Sequence, residues 1–217
     1  MKCEFCEKAY ETFVNHELIN NGIILYIPSQ TQENNLGYDV CFFGKRFQIC
    51  CMQYKIVEFV KSRRAFWKRQ HIFKFTTLKD SKTQKFKQHN LLVFLNKLGI
   101  NSVYCAPLFT KNSDLYNYLT SNTLIKNSAL LKPIHPLFNP PKTHSIEFNS
   151  HQAYQFCKNS EALKITNFNE LFTGSKWYSE EDLLNLLKEI LQEDGGYLPS
   201  ILAKNKIILL LKFDNEN

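Results

Sequence analysis

Asp39, Gln53 and Lys55 carry the strongest chemical signal in this sequence, set among the apolar residues of the stretch GYDVCFFGKRFQICCMQYK from Gly37 to Lys55. A carboxylate, an amide and an ammonium are costly on the buried face of a strand unless they have partners or a task. Together they suit hydrolysis of a phosphodiester. That reaction needs a cation against the non-bridging oxygens, an activated water and a group that steadies the leaving oxygen. Mg2+ meets the first need because it takes oxygen ligands and keeps several waters, and Mn2+ is expected to substitute. Asp39 would give the carboxylate ligand and the Gln53 amide oxygen a neutral one. Lys55 would hold or deprotonate the water, or stabilise charge developing at phosphorus.

Two apolar runs around a Gly44-Lys45-Arg46 turn must position these groups. Pairing Phe43 with Phe47 across a three-residue turn puts Asp39 opposite Cys51, and Asp39, Cys51, Gln53 and Lys55 on one face. Asp39 and Gln53 are then diagonal neighbours, roughly 7–8 Å apart, within reach of one ion. A two-residue turn would send Asp39 to the other face. The plain alternative is a surface hairpin in which Asp39 and Lys55 form an ordinary ion pair.

A Gly-x-Asp on one strand and Gln-x-Lys on the next, after a Glu-bearing helix, resembles the PD-(D/E)XK nuclease superfamily. The Gln53-Tyr54-Lys55 variant is similar to Mrr-type restriction endonucleases. The resemblance implies a restriction-endonuclease-like α/β core, a mixed central β-sheet flanked by helices, built in the order helix, three strands, helix, strand. It implies that Asp39 and Gln53, with the Tyr54 carbonyl, hold the metal and that Lys55 is the catalytic lysine. Tyr10-Glu11 resembles the start of the first helix in archaeal Holliday-junction resolvases, which makes Glu11 the expected acidic ligand from that helix, with Glu17 as runner-up. The neutral Gln53 departs from the acidic pattern and weakens the expected affinity for Mg2+.

The charge is uneven. Residues 55–88 hold eleven Lys or Arg against two acids, a local +9 within a chain of net +7. A basic run directly after the polar hairpin points to an anionic polymer as partner, with DNA favoured. Lys61, Arg63, Arg64, Lys68 and Arg69 are expected to cover one face of a helix and track phosphates. Lys85, Lys87, Gln88 and His89 open a second helix, and Gln88 and His89 are placed to reach the scissile phosphate, as second-helix residues do in several relatives of the resembled family. A solvated face is the bland alternative for both segments. Phe66 and Trp67 read as core or hinge residues rather than base-stacking platforms.

Apolar spacing at Tyr10, Phe13, Val14 and Leu18 predicts a helix over 7–20, ended by Asn20-Asn21-Gly22. Strands follow at Ile23–Ile27 and on both sides of the turn, with a polar loop from Ser29 to Leu36 between them. A helix is expected over 57–69, a strand over 71–77, a helix over 81–98 closed by Gly99, and a strand over 102–106. Beyond it come a short helix near 114–119, an irregular Pro-rich stretch over 133–141, a strand over 144–148, an amphipathic helix over 178–193 and a buried strand over 206–213. We therefore expect a single nuclease-like domain over 1–217, with a core at about 7–106 and a helical and strand extension at about 107–217.

An apolar fraction of 44% supports a packed core, and no apolar run is long enough to span a bilayer. The N-terminus carries acids without a signal-peptide apolar region, so a cytoplasmic location is expected. Seven cysteines lack disulfide-framework spacing; Cys41, Cys50, Cys51 and Cys105 fall in strands as small buried groups, and Cys3-x-x-Cys6 has no second pair to complete a zinc site. These readings combine into a Mg2+-dependent endonuclease, suited to restriction or antiphage defence, acting as a homodimer or with a partner protein of a defence system. The alternative is a nuclease-fold module that binds nucleic acid, or serves a defence complex as an assembly subunit, without cutting.

Overall fold

Tyr10, Val14 and Leu18 recur at every fourth position, and all three are fully buried on helix α1, Glu7–Asn20. The computed structural model describes residues 1–28, 38–44, 48–77, 87–137, 144–156 and 160–171. All of these fall in the unit Met1–Ser175. Helix α1 ends as the Asn-Gly pair predicts. The Gly22 N–H bonds the Ile19 carbonyl and the Ile23 N–H the Leu18 carbonyl, at 2.9 and 3.0 Å. Gly22 sits at φ +76°, and no atom lies within 4 Å of where a Cβ would stand, so conformation rather than space calls for glycine.

Strand β1, Ile24–Tyr26, pairs antiparallel with β2, Val40–Gly44, and β2 with β3, Gln48–Tyr54. After β4, Glu58–Lys61, and β5, His71–Thr77, comes helix α2, Lys87–Lys97. Gly99, at φ +81°, closes α2 with the same pair of capping bonds. Strand β6, Asn101–Pro107, runs parallel to β3, the arrangement a crossover helix permits. Asn96 pins this return: its side chain accepts from the Ser102 N–H at 2.9 Å and donates to the Ser102 carbonyl at 2.8 Å.

Helix α3, Asn112–Thr120, is followed by β7, Ser128–Lys132, β8, His144–Phe148, β9, Ala153–Phe156, and β10, Ser160–Thr166. Among the described residues, ten strands form one mixed sheet in the order β1-β2-β3-β6-β7-β10-β9-β8-β5-β4. Strand β10 joins its two halves. Residues 160–163 pair with β9, and residues 164–166 pair with β7. The halves also meet where the rings of Phe75 and Tyr104 lie 5.2 Å apart, and the Met1 ammonium bonds the Phe59 carbonyl at 2.6 Å. On one face of the first half, α1 buries Tyr10, Val14 and Leu18 against Val40, Met52, Tyr54, Val103 and Cys105.

The chain is thus α/β, with a large mixed sheet flanked by helices. Several elements depart from expectation. The helix expected over 57–69 is instead β4, a loop and a single 3-10 turn, Ala65–Trp67. Val57, Phe59 and Val60 suit a strand, and pairing with β5 outweighs the helix propensity of the Lys- and Arg-rich run. Lys68 and Arg69 then take left-handed φ angles of 45° and 62° and turn the chain back. Beyond residue 106 the expectation missed β7, β9 and β10, which continue the same sheet. The turn residues 45–47, the loop 29–37, the start of the expected 81–98 helix and the elements expected over 178–193 and 206–213 lie outside the described residues. Cys41, Cys50, Cys51 and Cys105 are buried free thiols, as expected. Among the described residues no helix is long and apolar enough to cross a membrane.

Candidate functional site

Phe43 pairs with Ile49 and Cys41 with Cys51, so the β2–β3 register is offset by two residues from the Phe43–Phe47 pairing predicted above. Two residues are one full side-chain period, so the offset leaves the faces unchanged. Asp39 stands at the mouth of β2, its N–H bonded to the Met52 carbonyl at 2.9 Å. Its carboxylate accepts from the Gln53 amide, with Nε2 2.8 Å from each oxygen, and from the Tyr54 N–H at 2.6 Å. Asp39 is 7% and Gln53 1% exposed. The far side of the Gln53 amide is less well served, because its Oε1 is buried with no hydrogen-bond partner.

Lys55 continues the register beyond the end of β3, its N–H bonded to the Cys105 carbonyl at 3.0 Å. Its side chain enters a cavity of about 170 Å3 lined by Glu7, Ile56, Phe75, Thr76, Thr77, Gln88, His89 and Tyr104. Tyr104 is the β6 partner of Gln53, so one wall of the cavity neighbours Gln53, although neither Gln53 nor Asp39 lines it. Lys55 Nζ lies 3.9 Å from Glu7 Oε1, and the other Glu7 oxygen accepts the Ile56 N–H at 3.2 Å. Glu7 escaped notice in the sequence because an acid in a first helical turn is explained by the helix dipole alone.

The other expected groups are distributed unevenly. Glu11 is buried one turn along α1 from Glu7, and Lys8 Nζ lies 2.8 Å from its Oε1. Burial first, then the charges of Cys105, Asp39 and Glu11, push the Tyr54 hydroxyl well above its ordinary pKa. The Tyr54 hydroxyl donates to Asn15 Oδ1 at 2.6 Å, while the residue's backbone N–H is the group that meets Asp39. Glu17 serves another purpose. It is buried and accepts the N–H groups of Leu124 and Ile125 at 2.6 and 3.3 Å, tying α1 to the turn before β7.

Gln88 lines the Lys55 cavity, half-buried. His89 is buried with both ring nitrogens engaged: Nδ1 is 2.9 Å from the Tyr104 hydroxyl and Nε2 2.9 Å from the His135 carbonyl. The carbonyl can only accept, so Nε2 carries the proton and Nδ1 takes the tyrosine hydrogen. Burial lowers the His89 pKa to about 4, with the His135 carbonyl opposing and nearby His144 adding to the fall. Lys85 lies outside the described residues, and Lys87 is the first residue of α2.

The basic residues expected on one helix face occupy a strand end and a loop. Lys61, Arg63, Lys68 and Arg69 are exposed there. Arg64 turns inward, with Nε 3.0 Å from Glu147 Oε1 and its guanidinium 3.9 Å from the centre of the Phe156 ring. Among the described residues no three His, Cys, Asp or Glu side chains gather in a way that could hold a metal ion. A cation at Asp39 would therefore depend on amide and carbonyl oxygens for its remaining protein ligands. Comparison with protein-family models, curated proteins and solved structures returned no match.

Proposed function

We propose that this protein is a metal-dependent endonuclease, hydrolysing phosphodiester bonds of DNA. The observation that carries this reading is the contact between the Asp39 carboxylate and the Gln53 amide on the face where Lys55 enters its cavity. The chain order supports it too. Helix α1, strands β1 to β3, helix α2 and a β6 parallel to β3 follow the order of a restriction-endonuclease-like core, with the β4–β5 hairpin inserted before α2.

The donor set would suit Mg2+ once the Gln53 amide is turned over. Turning the Gln53 amide over would bring its buried, unpartnered Oε1 against Asp39. Two such oxygens would repel each other without a cation to offset their charge. Asp39, Gln53 Oε1 and the Tyr54 carbonyl would then hold the ion, with Glu11 the further acid that the family resemblance assigns to α1. When bound, the ion neutralises non-bridging phosphate oxygens and acidifies a water. Lys55, its side chain 16% exposed, keeps its ammonium at the cavity by way of Glu7 and stabilises charge developing at phosphorus. Gln88 offers an amide to the same phosphate from the start of α2. Exposed Lys61, Arg63, Lys68 and Arg69 supply attraction to the polymer that falls with salt.

Incubation with supercoiled and linear DNA in Mg2+, Mn2+ or EDTA, beside Lys55→Ala and Asp39→Ala, tests this. Metal-dependent nicking lost in both variants is the expected result. Nicking that survives both would sink the site assignment. A second reading, a nuclease-fold module that binds nucleic acid without cutting, has one observation in its favour. The Gln53 amide as it stands already satisfies Asp39 with two N–H contacts. Salt-sensitive binding without cutting under any metal would select it.

A further inference from the structure

The outer face of the second half of the sheet carries a surface whose basic residues were given above only a general attraction to the polymer. Side chains alternate along β5, so Ile72 and Lys74 point to one side and Phe75 to the other, toward Tyr104 and the Lys55 cavity. On the Ile72 side, the segment between β4 and β5 folds back over the sheet. Trp67 anchors it, 2% exposed and packed on Ile72 and Phe156. Its neighbour Phe66 remains 47% exposed although two rings fix it edge-on: Trp67 at 5.2 Å and Tyr154 at 4.2 Å. An aromatic already immobilised loses little conformational freedom when something stacks on it.

Its surroundings are basic. Arg63, Lys68 and Arg69 are exposed beside it, while Arg64 is spent inward on Glu147. Lys68 and Arg69 sit at φ 45° and 62°, where glycine or asparagine would be at ease and a long side chain is strained. Two consecutive cations held at that cost point to what they display.

We infer that residues 63–69 form a docking surface for single-stranded nucleic acid, with Phe66 stacking on an unpaired base and Arg63, Lys68 and Arg69 meeting the phosphates. A duplex hides its base faces in its own stack, so an aromatic platform selects unpaired strands. The surface lies across the sheet from the Lys55 cavity and anchors a substrate strand away from the scissile bond. This rests on the nucleic-acid part of the proposed function and not on cleavage.

The test is fluorescence anisotropy of the full chain in EDTA, with a labelled oligothymidylate of about twelve nucleotides and a blunt duplex of equal length. The oligothymidylate should bind more tightly than the duplex. Phe66→Ala should weaken it about tenfold, and Phe66→Trp should restore it. Replacing Lys68 and Arg69 together by glycine should raise the melting temperature while lowering affinity and flattening the salt dependence. Equal binding by Phe66→Ala, preference for the blunt duplex, or capture by phosphatidylserine vesicles with no oligonucleotide binding would overturn the assignment. Binding is read without metal, so a protein that binds but never cuts refutes only the nuclease. A protein that nicks plasmid yet ignores the oligonucleotide refutes only this surface.

Discussion

Two buried carboxylates, one in each half of the sheet, are held in opposite ways. Glu147 on β8 faces the Arg64 guanidinium, with its second oxygen buried and unpartnered. Asp39 beside β3 is gripped by an amide and a backbone N–H. Removing a guanidinium from a buried carboxylate uncovers a charge; turning an amide over merely exchanges a donor for an acceptor. The first arrangement keeps a fold together. The second sets a neutral, reversible amide against a carboxylate, and the proposed chemistry rests on that contact.

The largest expected effect divides the halves by activity. Lys55→Ala should lower nicking about a thousandfold, near 4 kcal/mol of transition-state stabilisation, with melting unchanged. Next comes acid. His89 has a lowered folded pKa, so it stabilises the protein fully above its unfolded value of 6.5, and that stability is lost as pH falls toward about 4. The loss should be on the order of 3 kcal/mol, and urea melts of His89→Phe beside the parent should show their difference shrinking over that window.

Arg64→Met should cost roughly 2–3 kcal/mol in urea melts, less than a fully buried pair because Arg64 is half exposed, and adding Glu147→Met should return most of it. Gln53→Glu sharpens the contrast most. At a metal site it should lower melting without metal and raise the Mg2+-induced gain, with binding about tenfold tighter, near 1.4 kcal/mol. A loss of stability that Mg2+ does not relieve would make Asp39 as structural as Glu147. Smallest is Tyr10→Phe, about 1 kcal/mol by thermal melt, for the hydroxyl that donates to Ser128 Oγ at 2.6 Å.

The half containing Asp39 was legible because its signals are local. Helix α1 matches residues 7–20 through its apolar spacing and Gly22, and Gly99 marks the end of α2. The face shared by Asp39 and Gln53 was readable although the pairing was offset by two, because parity is all that a face requires. The other half was read only in part: β5 and β8 match the strands expected over 71–77 and 144–148, and β4 and β9 were missed. Strand β4 is four residues beside a run rich in helix formers, and only its partner β5 makes it a strand. Strand β9 in this half and β7 in the Asp39 half, four and five residues long, give too few positions for alternation to register. The inward turn of Arg64 depends on Glu147, 83 residues away, and no local pattern announces such a partner.

The divided pairing of β10 has a consequence for how the molecule is made. A chain emerging from the ribosome has every strand around Asp39 in hand once residue 132 is out, including the parallel β3–β6 pair. Strand β5 must wait for β8, at residues 144–148, before it gains its inner neighbour. The seam closes only with residues 160–166. Such distant pairings are slow, because loop closure is spent before any contact rewards it. A chain stalled before β10 would carry the hairpin of the proposed active centre, paired with β6, while the surface around Phe66 still lacked β10 beside β9.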